Sequence, residues 1–242
     1  MEIMTNLSCK RFDKQKEDNM DGYKKEFIEF LVKTGALKFG EFKLKSGRIS
    51  PYFITTGMFN DGKAISRLGD FYAEAIKDAL GDEFDIVFGP AYKGIPLSLA
   101  AVISLSGMGM NKGFAFNRKE AKDHGEKDVV IGSAIKDGVK IVLVDDVITS
   151  GTSIGLTVDL LNALAKVEIP CVVISVDRQE IGLEGKSAAA EVKEKYGIAV
   201  KSIASITEII DYLHDRKIDG KVYVDDGMKK KMLDYLETYG VK

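Results

Sequence analysis

Ile141-Val142-Leu143-Val144-Asp145-Asp146-Val147-Ile148-Thr149-Ser150-Gly151-Thr152-Ser153 is the stretch whose reading decides the fold. Four consecutive apolar residues with no polar alternation predict a strand covered on both faces. Two adjacent carboxylates end that run, and a turn of small residues opens the next helix. Thr149, Ser150, Gly151, Thr152 and Ser153 offer backbone N–H groups and hydroxyls at a helix N-terminus, a cradle suited to a dianionic phosphate. Asp145 and Asp146 would repel that phosphate, so they must serve a neighbouring group. Sugar hydroxyls suit them, because a carboxylate oxygen accepts from a hydroxyl. A plain helix cap, an acidic receiver pocket and a magnesium site of an NTPase use similar residues. A receiver, however, places its acidic pair after the first strand, whereas several strands precede this one. No Gly-x-x-x-x-Gly-Lys-Ser/Thr pattern supports an NTPase.

Outward from this stretch the chain alternates helix and strand. Upstream, Ile65, Leu68, Tyr72, Ile76 and Leu80 form a helical stripe, followed by a strand at Asp85–Phe88, a helix through Leu97–Leu105 and a strand at Gly113–Phe116. The polar segment Asn117–Asp128 interrupts the rhythm. Downstream come a helix near Ile154–Lys166, a strand at Cys171–Val176, a helix near Ser187–Tyr196 and a strand at Val200–Ile203. This order predicts an α/β fold with a central, mostly parallel sheet flanked by helices. Ligands of such sheets bind beyond the carboxyl ends of the strands, so the loops after Phe88, Phe116, Val144 and Val176 should meet at one site. Before the sheet, Tyr23–Lys33 reads as a helix that Asp21 can cap and Gly35 can end. Glu41–Thr55 reads as a hairpin turning at Ser46-Gly47-Arg48. Asp225–Tyr239 reads as a peripheral helix.

Bulk properties narrow the classes. The 242 residues are 45% hydrophobic and carry 35 basic against 37 acidic side chains, a formal charge of −2. That balance argues against a nucleic-acid-binding surface. No apolar run reaches the roughly 20 residues that span a bilayer, and the charged N-terminus does not read as a signal peptide. Cys9 and Cys171 lack metal-ligand spacing, and Cys171 lies in an apolar run, which fits a buried thiol in a reducing cytoplasm. Residues 1–21 read as a poorly ordered or peripheral extension, and residues 22–242 as a single domain. One core uses that length, so no fused second enzyme is expected.

The thirteen-residue stretch resembles the substrate-binding motif of the type I phosphoribosyltransferases. Five further motifs are similar to the orotate-specific branch of that family: Phe42-Lys43-Leu44-Lys45-Ser46-Gly47-Arg48, Ser50-Pro51-Tyr52-Phe53, Phe88-Gly89-Pro90-Ala91-Tyr92-Lys93-Gly94-Ile95-Pro96, Asn117-Arg118-Lys119-Glu120-Ala121-Lys122-Asp123-His124-Gly125-Glu126 and Asp177-Arg178-Gln179-Glu180. The resemblance runs from about Gly22 to the end. It implies the type I phosphoribosyltransferase fold, with an N-terminal hairpin/helix hood over the base site. It also implies transfer of the phosphoribosyl group of phosphoribosyl pyrophosphate (PRPP) to orotate, in pyrimidine biosynthesis.

The resemblance further implies residue roles. Lys122 would stabilise pyrophosphate as it departs, with Arg118, Lys119 and His124 assisting and Asp146 completing the catalytic set. PRPP would be held by Lys45, Tyr92, Lys93, Arg118, Lys119, Lys122, His124 and the whole stretch Asp145, Asp146, Val147, Ile148, Thr149, Ser150, Gly151, Thr152 and Ser153. Orotate would meet Lys45, Phe53, Ile54, Thr149 and Arg178, whose planar guanidinium matches a carboxylate. A common version of the hairpin motif has two aromatics where this chain has Phe53-Ile54. Read alone, the 118–127 segment would be a solvated loop, Gly89–Gly94 a strand-to-helix turn, and Arg178 a surface ion pair with Glu180. Magnesium is the implied cofactor, held mainly by substrate with no direct protein ligand. The implied assembly is a homodimer whose segment 118–125 reaches the neighbouring subunit's site. A phosphoribosyltransferase for another base, or a non-catalytic regulator with the same fold, would keep the phosphate motifs. The intact cations Arg118, Lys119, Lys122 and His124 count against the regulator.

Overall fold

The computed structural model describes residues 20–44, 46–118, 129–148, 151–182 and 185–241. They gather into two compact units, one comprising residues up to Met58 with Ala204–Gly240, the other Phe59–Ile203 with Val241. The first unit opens with helix α1 (Gly22–Lys33), which buries Phe27, Ile28, Leu31 and Val32. Asp21 occupies its N-cap, but the side chain makes no capping bond; its carbonyl accepts from the N–H groups of Lys24 and Lys25. Gly35 follows the helix at φ +70. The antiparallel hairpin of β1 (Leu37–Lys43) and β2 (Ile49–Ile54) starts earlier than alternation predicts, with Leu37 opposite Ile54 and an irregularity between Phe39 and Phe42. That bulge breaks the period-two pattern on which the reading relied.

The second unit begins with α2 (Gly62–Leu80). Asp61 caps it by accepting from the Ala64 N–H at 2.9 Å, and the predicted stripe is buried at Leu68, Tyr72 and Ile76. Then follow β3 (Ile86–Phe88), α3 (Gly94–Gly107), β4 (Gly113–Asn117), β5 (Val130–Gly132), β6 (Ile141–Asp145), α4 (Thr152–Leu164), β7 (Cys171–Asp177), α5 (Ala188–Tyr196) and β8 (Ala199–Ser205). The sheet order is β5-β4-β3-β6-β7-β8. Strands β4, β3, β6 and β7 run parallel, with Phe88 beside Ala115 and Leu143, and Leu143 beside Val172. Strand β5 runs antiparallel to β4, and the sequence reading placed no strand at Val130–Gly132.

Ile141, Val142, Leu143 and Val144 are all wholly buried. Successive strand side chains point to opposite faces, so the sheet is covered on both, which is why β6 needs no polar alternation. Leu143, Phe88 and Val172 share a core with Ile154, Val158 and Leu161 of α4 and Val192 of α5. Helices α2 and α3 pack closely at Gly69, where a Cβ would lie 2.6 Å from the Ala100 carbonyl oxygen. Among the described residues, no helix is long and apolar enough to cross a membrane.

The first unit is completed by α6 (Ile206–Leu213), the short ribbon β9 (Lys217–Ile218) with β10 (Lys221–Val222), and α7 (Asp226–Tyr239). Helix α6 starts with a capping box between Ser205 and Glu208. It is tied to α1 by Lys24 Nζ on Glu208 at 2.9 Å and by the Tyr212 hydroxyl donating to Glu29 at 2.9 Å. Helix α7 is mostly exposed, as a peripheral helix should be, and is anchored by the buried Met232 and Tyr235, with the Tyr52 and Tyr235 rings edge-on at 5.9 Å.

The α2–α3 contact leaves no room for a methyl group. Gly69→Ala should lower unfolding stability by about 1–3 kcal/mol, the range for overpacking. Urea denaturation measures it, and an unchanged midpoint would show that the helices can separate without cost.

Candidate functional site

The end of β6 sets the site. Asp145 and Asp146 leave the sheet together, and each carboxylate first satisfies a nearby N–H. Oδ1 of Asp145 accepts from the Asp146 N–H and Oδ1 of Asp146 from the Val147 N–H, both at 2.8 Å. Oδ2 of Asp146 accepts from Lys93 Nζ at 2.5 Å. Asp146 is only 7% exposed, whereas the Lys93 side chain is largely open to solvent. Burial raises the Asp145 carboxyl to about 6; the Asp146 N–H works against this, while the Asp146 charge adds to it.

Lys93 comes from the loop after β3, which closes on itself. A Cβ on Gly89 would fall 1.9 Å from the Gly94 carbonyl oxygen, so no side chain fits there. The Ala91–Tyr92 peptide is cis. The Ala91 N–H donates to Oδ1 of Asn117, at the end of β4, at 2.8 Å. The loops after β3, β4 and β6 are therefore joined by hydrogen bonds, as the strand order requires and as the topology predicts.

Arg118 follows Asn117, is exposed, and donates its N–H to the Val129 carbonyl at 2.8 Å. Arg118 and Val129 thus stand together at the paired ends of β4 and β5. Lys119, Lys122 and His124 lie outside the described residues, as do Lys45, Thr149 and Ser150.

Gly151 is the N-cap of α4 at φ +62. Having no side chain, it offers no acceptor of its own to the first-turn N–H groups, which suits an external anion. Thr152 and Ser153 are exposed beside it, and Val147 is half-buried. The partly buried Ile148 side chain packs against the sheet core.

Arg178, just past β7, donates from Nε and Nη2 to Oε1 of Glu180, and both side chains are 14% exposed. This is the ion pair expected of Arg178 read without the resemblance, but it is largely buried. The turn that carries it is held at Gln179, whose N–H donates to Asp177 Oδ1 and whose carbonyl accepts from the Val241 N–H, both at 2.8 Å. Phe53 and Ile54 belong to the first unit, where Phe53 is 39% exposed and its ring lies 5.6 Å from that of Phe42. Sequence reasoning passed over Asn117 as a site member and treated Glu180 only as a surface partner. Asn117 directly precedes Arg118, but no pattern announces that its amide holds another loop.

Among the described residues, one trio of His, Asp or Glu side chains is close enough to share a cation: His214, Asp215 and Asp226, in the first unit. His214 caps the end of α6 and lies 2.9 Å from Asp226 Oδ1.

A carboxyl whose folded pKa lies above its unfolded value of about 3.9 holds extra protons when folded. Its penalty to stability is absent below that value and fully present above about 6. Asp145→Asn should therefore stabilise the fold relative to the parent at pH 8, and the gain should vanish near pH 4. Thermal melts across that window measure it; a gain independent of pH would assign the effect to something other than the buried charge.

Residues 55–217 match the family model described as "Phosphoribosyl transferase domain". The orotate phosphoribosyltransferase of Clostridium acetobutylicum is 46% identical over 224 residues, covering 92% of this chain and all of that protein. That of Thiobacillus denitrificans is 47% identical over 222 residues, with the same coverage. Among solved structures, the orotate phosphoribosyltransferase of Francisella tularensis superposes with a TM-score of 0.76 at 37% identity, over 89% of this chain and 99% of that one. Near-complete coverage at this identity, on a sheet whose loops meet at Asp146, establishes that the chain belongs to the orotate phosphoribosyltransferase family.

Proposed function

We propose that this chain transfers the phosphoribosyl group of PRPP to orotate, giving orotidine 5′-monophosphate and pyrophosphate in pyrimidine nucleotide synthesis. The observation that carries the reading is the junction at Asp146. There the glycine loop after β3, through Lys93, meets the acidic end of β6. One substrate with a diphosphate, a ribose and a 5′-phosphate would match the Gly89–Gly94 loop, the Asp145–Asp146 pair and the start of α4 in turn.

In the reaction the bond from the anomeric carbon to the diphosphate oxygen breaks, and a ring nitrogen of orotate bonds to that carbon. Positive charge grows on the sugar while negative charge grows on the leaving group. A site serves this step mainly by aligning the reactants and neutralising that negative charge. Asp145 and Asp146 hold the ribose hydroxyls, and α4 with Gly151, Thr152 and Ser153 takes the 5′-phosphate. Lys93 and Arg118, with Lys119, Lys122 and His124, are assigned to the diphosphate by resemblance. Arg178 is assigned to the orotate carboxylate by resemblance, its guanidinium oriented by Glu180. Lys45, Phe53, Ile54 and Thr149 are assigned to the base by resemblance.

Magnesium fits as a substrate-borne ion. Oxygens of Asp145 and Asp146 already accept from N–H groups and from Lys93. Magnesium keeps much of its water and prefers substrate phosphates, so phosphate oxygens, ribose oxygens and water are the natural ligands. When bound, the ion offsets charge on the diphosphate. A homodimer with shared sites, in the cytoplasm, completes the proposal, supported by the family resemblance of segment 118–125.

The direct test is loss of orotate absorbance on adding PRPP and magnesium, with adenine, hypoxanthine and uracil in parallel. Turnover of orotate alone is the expected result. Turnover of another base would overturn the assignment of Arg178 and Phe53, and binding without turnover would favour a regulator. Lys122→Ala should lower the turnover rate by roughly 10²–10³, the scale of losing one transition-state donor, with the fold intact; a near-parental rate removes Lys122 from its role. Mixed dimers of Lys122→Ala and Asp146→Asn should regain activity, and failure to do so after demonstrated subunit exchange would refute shared sites.

A further inference from the structure

The two carbonyl groups that bracket Asp146 are each held by a buried hydroxyl from another element. Tyr72 on α2 is wholly buried and donates its phenol to the Asp145 carbonyl at 2.7 Å. Ser175 on β7 is 1% exposed and donates its hydroxyl to the Asp146 carbonyl at 2.5 Å; its N–H reaches the same oxygen at 3.0 Å. Each peptide unit is planar, so a held carbonyl fixes the orientation of its whole plane. The plane before Asp146 sets its φ and the plane after sets its ψ. With both fixed, the Cα–Cβ bond of Asp146 has one direction. The Val147 N–H bond to Oδ1 then restricts the side-chain torsions.

We infer that Tyr72 and Ser175 are positioning residues for sugar recognition, aiming the Asp146 carboxylate through its two flanking peptides; this rests on the reading that the acidic pair takes the ribose. Both donors are neutral and act on carbonyls, so neither consumes the carboxylate's charge or its acceptor capacity. Burial, reinforced by Asp146 and Asp145, raises the Tyr72 pKa well above that of an ordinary tyrosine, keeping the phenol a donor. A cation in the same place would pair with the carboxylate itself.

The test separates aim from mere stability by using two probes. Tyr72→Phe and Ser175→Ala each remove one hydroxyl. Each should weaken binding of PRPP with magnesium about fivefold, the scale of one net hydrogen bond. Inorganic pyrophosphate with magnesium, which has no sugar, should bind within about twofold of the parent, and so should the KM for orotate. Calorimetric titration reads the two affinities. Equal weakening of both probes, or of neither, would overturn the proposal and leave the hydroxyls as ordinary core hydrogen bonds. If Tyr72→Phe does not fold, Ser175→Ala decides alone. Asp146→Asn is the control for the underlying reading. If it too leaves PRPP binding unchanged, the ribose assignment fails; if it weakens binding while the hydroxyl variants do not, only the positioning role fails.

Discussion

A strand buried on both faces that ends in two carboxylates is the constraint on which the rest of this structure depends. Ile141–Val144 can lie in the middle of the sheet only because helices cover both sides and parallel neighbours pair with both edges. Asp145 and Asp146 come immediately after, where the covering layers end. The chain cannot slide inward without dragging charge into the core, nor outward without exposing the apolar run. Burial therefore fixes the acidic pair at the carboxyl edge of the sheet, where the neighbouring loops also emerge.

Polar links between those loops turn an edge into a site. Asn117 holds Ala91, Lys93 reaches Asp146, and Ser175 and Tyr72 hold the carbonyls on either side of Asp146. Each link joins a different element to the loop after β3 or β6, so the arrangement exists only in the folded sheet. The raised Asp145 carboxyl shows what this placement costs, because half-buried charge is disfavoured where water is scarce. On the neighbouring loop the Arg178–Glu180 pair holds a guanidinium in place in the same low-solvent setting, with its turn anchored to Val241.

Much of this was legible in the residues alone. Continuous Val/Ile/Leu runs alternating with helical stripes determined the parallel sheet, because strand and helix bury side chains with different periods. The acidic pair and the small-residue turn determined where phosphate and sugar chemistry could occur, since few residue types supply those donors and acceptors together. Tertiary structure alone decided the rest. The bulge in the hairpin, the antiparallel β5 and the Tyr52–Tyr235 contact of α7 depend on partners distant in the chain, which no local period encodes. Tyr72 read as one more core residue of its stripe, although Ser175, a lone hydroxyl within Cys171–Val176, was a visible irregularity. Their roles emerge only where α2 and β7 meet the end of β6. Sequence thus settled which groups this protein brings to its site, through local chemistry and periodicity. The fold decided which way they face, because orientation is set by hydrogen bonds from residues far apart in the chain.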